Sequence, residues 1–256
     1  MMHYFLVPEP QVELDGQVIN IPTMSSAILC AVQRIKSGFG FSFLTLNLDH
    51  MVNRRLNSRF RDAYSRATFV CADGQPVVSL AKRIGAKIER TTGADMVNPL
   101  CGAAAEMNVS VYLFGSNIQT LKKATQKLKA NHPALKIAGI EAPQLGFDPD
   151  GDLADECAER IDISGAALCF VALPSVKAAF FIDRFTASHP HIGFLGIGAA
   201  LDFIACTQIR APKWMQKTGL EWVWRLSTNP RAMFSRYLSC GILYLKLRFK
   251  LAEIKA

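Results

Sequence analysis

The chain has 256 residues, half of them apolar and a fifth charged, with a net charge of +8, which excludes a disordered tail and allows one broad globular unit or two small ones. Seven scattered cysteines without a CxxC pair read as buried thiols of a reducing compartment rather than a disulfide framework or a metal cluster. The first residues lack a basic segment followed by an apolar core, so no signal peptide is expected, and no uncharged apolar run reaches the roughly 18 residues of a spanning helix.

Residues 12–20 (VELDGQVIN) alternate with period two about Asp15-Gly16, which predicts a hairpin closed by a type I′ turn. A helix is expected over 25–36, stopped by Gly38 and Gly40, then a buried strand over 41–47 with Thr45 and Asn47 at its polar end. One helix over 50–65 and a strand over 68–72 follow. That strand ends on a single acid, Asp73, before Gly74 and a helix with Pro76 in its first turn. Two readings of Asp73 stand side by side. It is a general base at the C-terminal end of a strand, where α/β proteins bind ligands, or a turn residue that caps the next helix.

Helices are expected over 76–84, 95–107, 121–131, 153–161 and 176–186, and strands over 109–114, 135–139, 167–173 and 192–198. From residue 109 the order is β-α-β-α-β-α-β, the rhythm of a parallel sheet covered on both faces. Gly115 and Ser116 follow a strand; a helix N-terminus there can take a phosphate, though a plain strand-to-helix turn fits as well. A single glycine in place of the three of a dinucleotide fingerprint disfavours an NAD-dependent oxidoreductase. Gly198 and Asp202, in GIGAALD (196–202), suit the close approach of a nucleotide or a tight βα turn. Arg90 is either a substrate-anion ligand or the partner of Asp95.

Residues 206–256 carry ten Lys or Arg against Glu221 and Glu253, which is the whole net charge of the protein. With Trp214, Trp222, Trp224 and Tyr237 they suggest a helical segment lying on an anionic membrane surface. A packed C-terminal helix with a solvated basic face is the competing reading. LKLRFKL (245–251) alternates as a strand would, but no turn separates it from the preceding helical stretch, so helix is expected. Without a recognition helix or zinc spacing, nucleic-acid binding is not expected.

Several stretches together resemble the WecG/TagA/CpsF family of bacterial glycosyltransferases (glycosyltransferase family 26). They are TLNLDH (45–50), ADGQPVV (72–78), ERTTGADMV (89–97), YLFGS (112–116), GIGAALDF (196–203) and RAPKWMQKTGLEWVWRLSTNPRAMFSRYL (210–238). The resemblance implies inverting transfer of a sugar from a UDP-activated donor to an undecaprenyl-diphosphate-linked saccharide, without a metal. It makes Asp73 the base and lines the same cleft with Thr45 and Asn47. It also assigns Arg225, Arg231 and Arg236 to a mobile appendage that helps complete the site and contacts the membrane. One stretch departs from the family pattern. In ALPSVKAAFF (172–181), Pro174 and Val176 replace an expected glycine and proline, and Ala178 and Ala179 replace an amide and an acid. Lys177 remains, as a phosphate ligand or a solvated helix lysine, and donor recognition through this loop is placed in doubt.

The expected fold is α/β, with a Rossmann-like parallel sheet in the C-terminal half, a smaller α/β N-terminal half carrying the hairpin, and a basic helical appendage. Domain bounds are set at 1–100, 101–205 and 206–256. The expected function is an inverting hexosyltransferase of surface or exopolysaccharide synthesis, peripheral on the inner face of the cell membrane. Its partners would be a UDP-sugar, a polyprenyl-diphosphate-linked saccharide and anionic lipid, with apolar helices leaving room for a homo-oligomer. No cofactor is expected. Asp148-x-Asp150 lies in a glycine-rich loop rather than at a strand end, so the diphosphate is assigned to arginine and lysine, with Arg90 and Arg236 among them. The alternative is a catalytically weakened nucleotide-sugar-binding or scaffold protein of a polysaccharide assembly complex.

Overall fold

A computed structural model describes residues 11–253. Strands β1 (Val12–Leu14) and β2 (Gln17–Ile19) pair antiparallel across Asp15 (φ 54°) and Gly16 (φ 70°), the left-handed pair that a type I′ turn requires. Helix α1 (Met24–Lys36) follows, its Thr23 and Ser26 forming a reciprocal capping box.

Six further strands form one parallel sheet: β3 (Phe41–Leu46), β4 (Phe69–Ala72), β5 (Ser110–Gly115), β6 (Lys136–Glu141), β7 (Ala166–Ala172) and β8 (Gly193–Gly196), in the order β4-β3-β8-β7-β5-β6. Strand β8 lies between β3 and β7. The strands within 41–72 and those within 110–196 therefore share hydrogen bonds across one sheet, which extends the parallel sheet of the second half into the first. In β3 all six residues are buried, because helices cover both sides and alternate side chains enter opposite cores.

Leu44, Leu46, Val70, Phe114 and Val171 face the core closed by α2 (Leu48–Leu56), α3 (Ser58–Arg66), α4 (Gln75–Arg83), α7 (Asp152–Ile163) and α8 (Ser175–Ser188). Phe41, Phe43, Cys71, Leu113 and Phe170 face the other, closed by α1, α5 (Gly93–Glu106), α6 (Ile118–Asn131) and α9 (Ala200–Ile204). The single helix expected over 50–65 is two. Asn57 is extended (φ −132°, ψ 109°), and its side chain accepts from Phe60 N, so it ends α2 and caps α3.

After α9 come α10 (Lys213–Thr218), α11 (Glu221–Thr228) and α12 (Pro230–Glu253), the last running as helix through the alternating 245–251 stretch. Helix α12 packs on α2 and α4, burying Cys240, Leu243 and Leu247. Tyr244 Oη lies 3.3 Å from Ser79 Oγ. Among the described residues, no helix is long and apolar enough to cross a membrane.

Candidate active site

Parallel strands deliver all their C-terminal ends to one edge, and the residues that follow them line it. Asp73 follows β4, Asn47 follows β3 and Ser116 follows β5. The Asp73 amide donates to Leu46 O at 2.8 Å, carrying the β3–β4 ladder one step past the strand. Gly74, at φ 114°, is the N-cap of α4, and among the described residues no side-chain hydrogen bond caps that helix. The capping role open to Asp73 is therefore not taken up, and its carboxyl is free of the helix.

Asp73 keeps part of its surface accessible but is enclosed by protein on most sides. Desolvation raises its pKa to about 6; Arg225 opposes the rise, Glu221 adds to it, and Arg90 and a hydrogen bond from Thr45 oppose it. A carboxyl held near neutrality at a strand end suits a general base.

Thr45 is held in place through its backbone. Its carbonyl receives Tyr64 Oη at 2.7 Å and lies 2.7 Å from His50 Nδ1. His50 is buried, and desolvation lowers its pKa to about 4, so the ring is neutral near pH 7. The neutral tautomer with the proton on Nδ1 donates to Thr45 O and leaves Nε2 to accept from Asn47 Nδ2, 3.3 Å away. Asn47 Oδ1 accepts from His50 N at 2.9 Å, the N-cap bond of α2. Asn47 is thus at the cleft edge with both ends of its amide engaged in holding His50 and the helix.

The cations come from both halves of the chain. Arg90 meets Asp95 at 3.3 Å, and Arg225, on α11, meets Glu221 at 2.9 Å. Arg210 grips Asp95 at 2.6 Å. Burial alone would raise the Asp95 pKa, but Arg210 holds it below the ordinary value. Arg236 pairs with Asp49 at 2.7 Å, beside His50 rather than at Asp73. Arg231 is exposed at the start of α12.

On the far side of the edge, β5 leads outward to β6 while β7 leads back to β8, so their C-terminal ends flank a switch point. Gly115 (φ 108°) has no room for a Cβ, which would collide with the Ala172 carbonyl, and Ser116 N donates to that same oxygen at 2.9 Å. Ser116 Oγ donates to Asp202 Oδ1 at 3.2 Å, and the Thr120 and Thr207 hydroxyls reach the same oxygen at 3.4 and 3.3 Å. Gly198 (φ 54°) would meet nothing if it carried a Cβ. Lys177 Nζ donates to Phe147 O at 2.6 Å, fastening α8 to the loop after β6. Ala178 and Ala179 are buried. In that loop Asp150 is ion-paired with Arg59.

The family model of the glycosyl transferase WecG/TagA/CpsF family matches residues 12–255. The chain belongs to this family. It is also 30% identical over 203 residues, 78% of this chain and 76% of the relative, to the N-acetylglucosaminyldiphosphoundecaprenol N-acetyl-beta-D-mannosaminyltransferase of Bacillus spizizenii. In this WecG/TagA/CpsF glycosyltransferase the charges of Arg90 and Arg225 and a hydrogen bond from Thr45 act on Asp73, and Ser116 lies beside Asp202, while Lys177 is bound to Phe147 O and Arg236 to Asp49. Three participants in this transferase's charge arrangement were not singled out from sequence: Arg210, Asp95 as its partner, and Glu221. The RAP and GLEW motifs contained the signal, but a motif does not say which acid faces which cation.

Proposed function

We propose that the protein is an inverting transferase that moves a hexose or hexose derivative from a UDP-sugar to a polyprenyl-diphosphate-linked saccharide in surface polysaccharide synthesis. The observation that carries this reading is Asp73: a carboxyl at the sheet's C-terminal edge, free of the helix cap, with a pKa of about 6 and the fields of Arg90 and Arg225 upon it. Asp73 accepts the proton of the acceptor hydroxyl as its oxygen bonds to the anomeric carbon. The bond from that carbon to the UDP oxygen breaks on the opposite face, inverting the centre. Thr45 orients the carboxylate, and Arg90 and Arg225 balance the charge of the departing diphosphate. Ser116, Gly198 and Asp202 are assigned to the nucleotide, with Asp202 offering an acceptor for a ribose hydroxyl. Arg231 and the exposed face of α12 are assigned to anionic lipid at the inner membrane face.

The test is a donor screen with a synthetic polyprenyl-diphosphate-linked sugar acceptor, with and without EDTA. Transfer that inverts the anomeric carbon and largely survives EDTA is expected; transfer abolished by EDTA and restored by Mg²⁺ would refute the assignment of the diphosphate to arginine. A second reading, a nucleotide-sugar-binding scaffold with weakened catalysis, draws on the 174–179 loop. There Lys177 is tied to Phe147 O and Ala178 and Ala179 are buried, leaving those side chains no evident hold on a donor. Binding of UDP-sugar without transfer would favour it.

A further inference from the structure

Arg210 has no place in the reaction scheme above, yet it lies where the body meets the appendage, between α9 and α10. Its guanidinium forks onto the first turn of α5, with Nη1 2.6 Å from Asp95 Oδ1 and Nη2 3.3 Å from Asp95 Oδ2. Its Nε is buried, has no hydrogen-bond partner among the described residues, and lies 3.9 Å from Glu221 Oε1. Asp95 also meets Arg90, and Glu221 also meets Arg225. Five charges therefore alternate in one chain: Arg90, Asp95, Arg210, Glu221, Arg225. The first two belong to the body and the last three to the appendage. The two end cations, Arg90 and Arg225, and the acid Glu221 act on the Asp73 carboxyl, and Arg210 at the centre also feels its charge, which a lysine there would keep.

A planar fork can hold one carboxylate with two nitrogens and turn a third toward another acid, which a lysine ammonium cannot do. Arg210 and Asp95 are largely shielded, at 19% and 33% exposure, so an unpaired partner would be left poorly solvated. A second contact seats the same segment. Gly219, at φ 78°, closes α10, and a Cβ there would lie 2.9 Å from Gln75 Cβ, two residues beyond Asp73.

We propose that Arg210 is a positioning residue that locks the appendage to Asp95 and thereby holds Arg225 within reach of Asp73. The lock itself stands on geometry; its catalytic consequence rests on the transferase reading. The full chain is compared with Arg210→Lys, Asp95→Asn, Arg225→Lys and the Arg210→Lys/Arg225→Lys pair. In the ligand-free protein, amides of residues 213–228 should exchange about tenfold faster or more in Arg210→Lys and Asp95→Asn, with β3, β5 and β7 unchanged. Unchanged protection of 213–228, or equal loosening of the strands, overturns the lock.

In donor kinetics, Arg210→Lys should cost about 10- to 100-fold in kcat/KM, the scale of a misplaced catalytic group. The double variant should be no worse than the poorer single one, because Arg210 acts through Arg225. Losses that multiply would show Arg210 acting on its own and overturn the proposal. If the unaltered chain transfers no sugar, the transferase reading fails while hydrogen exchange still decides the lock.

Discussion

Asp73 carries opposite consequences for stability and for chemistry. Its pKa rises from 3.8 to about 6 on folding, mainly through desolvation, so the folded state favours the protonated form. Stability is therefore greatest below the unfolded pKa and falls as pH rises through about 6, by up to roughly 3 kcal/mol at pH 8. Activity runs the other way, since only the carboxylate accepts a proton. The expected kcat/KM falls about tenfold per pH unit below pH 6 and levels off above it; a profile flat down to pH 4.5 would remove Asp73 from the role of base. Asp73→Asn should cost about 10²–10⁴ in rate with UDP binding retained, and should raise Tm at pH 8 by several degrees. Thermal melts and single-turnover assays of the same sample check both signs. The buried His50 serves differently, remaining neutral and donating to the Thr45 carbonyl.

Among the elements, the β5–β7 pair shows why a glycine reading from sequence was incomplete. The sequence leaves Gly115 open to a phosphate-binding turn or a plain strand-to-helix turn, and its surroundings add a packing reason. It combines φ 108° with a Cβ position filled by the Ala172 carbonyl. Gly115→Ala should therefore destabilise the protein by more than about 2 kcal/mol, through both backbone strain and the collision. Urea unfolding measures this directly; a change within about 0.5 kcal/mol would mean that the β5 end can move away from β7. Helix α2 gives the complementary lesson. Its apolar spacing runs on into α3, so periodicity merged the two, while a local hydrogen bond from Phe60 N to Asn57 Oδ1 separates them.

At the scale of the whole molecule, α12 has two faces. Cys240, Leu243 and Leu247 are buried against the body, whereas Phe234, Leu238, Ile242, Leu245 and Phe249 are exposed on the helix that also carries Arg231, Lys246, Arg248 and Lys250. Apolar rings and aliphatic chains among cations suit an anionic bilayer interface. Replacing Phe234, Leu238 and Phe249 with Ser should lower binding to phosphatidylglycerol vesicles about tenfold or more while leaving Tm nearly unchanged. Undiminished co-sedimentation would place the membrane contact elsewhere. Deleting everything after Ala205 is a poorer probe, because it would also strip α12 from the apolar surfaces of α2 and α4.

The sequence by itself determined what depends on near neighbours. The Asp15-Gly16 hairpin, the alternation of strands and helices after residue 109 and the placing of Asp73 after a strand follow from local periodicity and turn chemistry, and the helical course of 245–251 from the lack of a turn before it, against its own alternation. Family motifs added the transferase class. The tertiary structure alone decided that β8 enters between β3 and β7, that the helix cap leaves Asp73 free, and that Arg210 joins Asp95 to Glu221. The β3–β8 pairing and the Arg210–Asp95 ion pair join residues more than a hundred positions apart. Which distant partner is chosen depends on how whole faces pack, and no short stretch of chain encodes that.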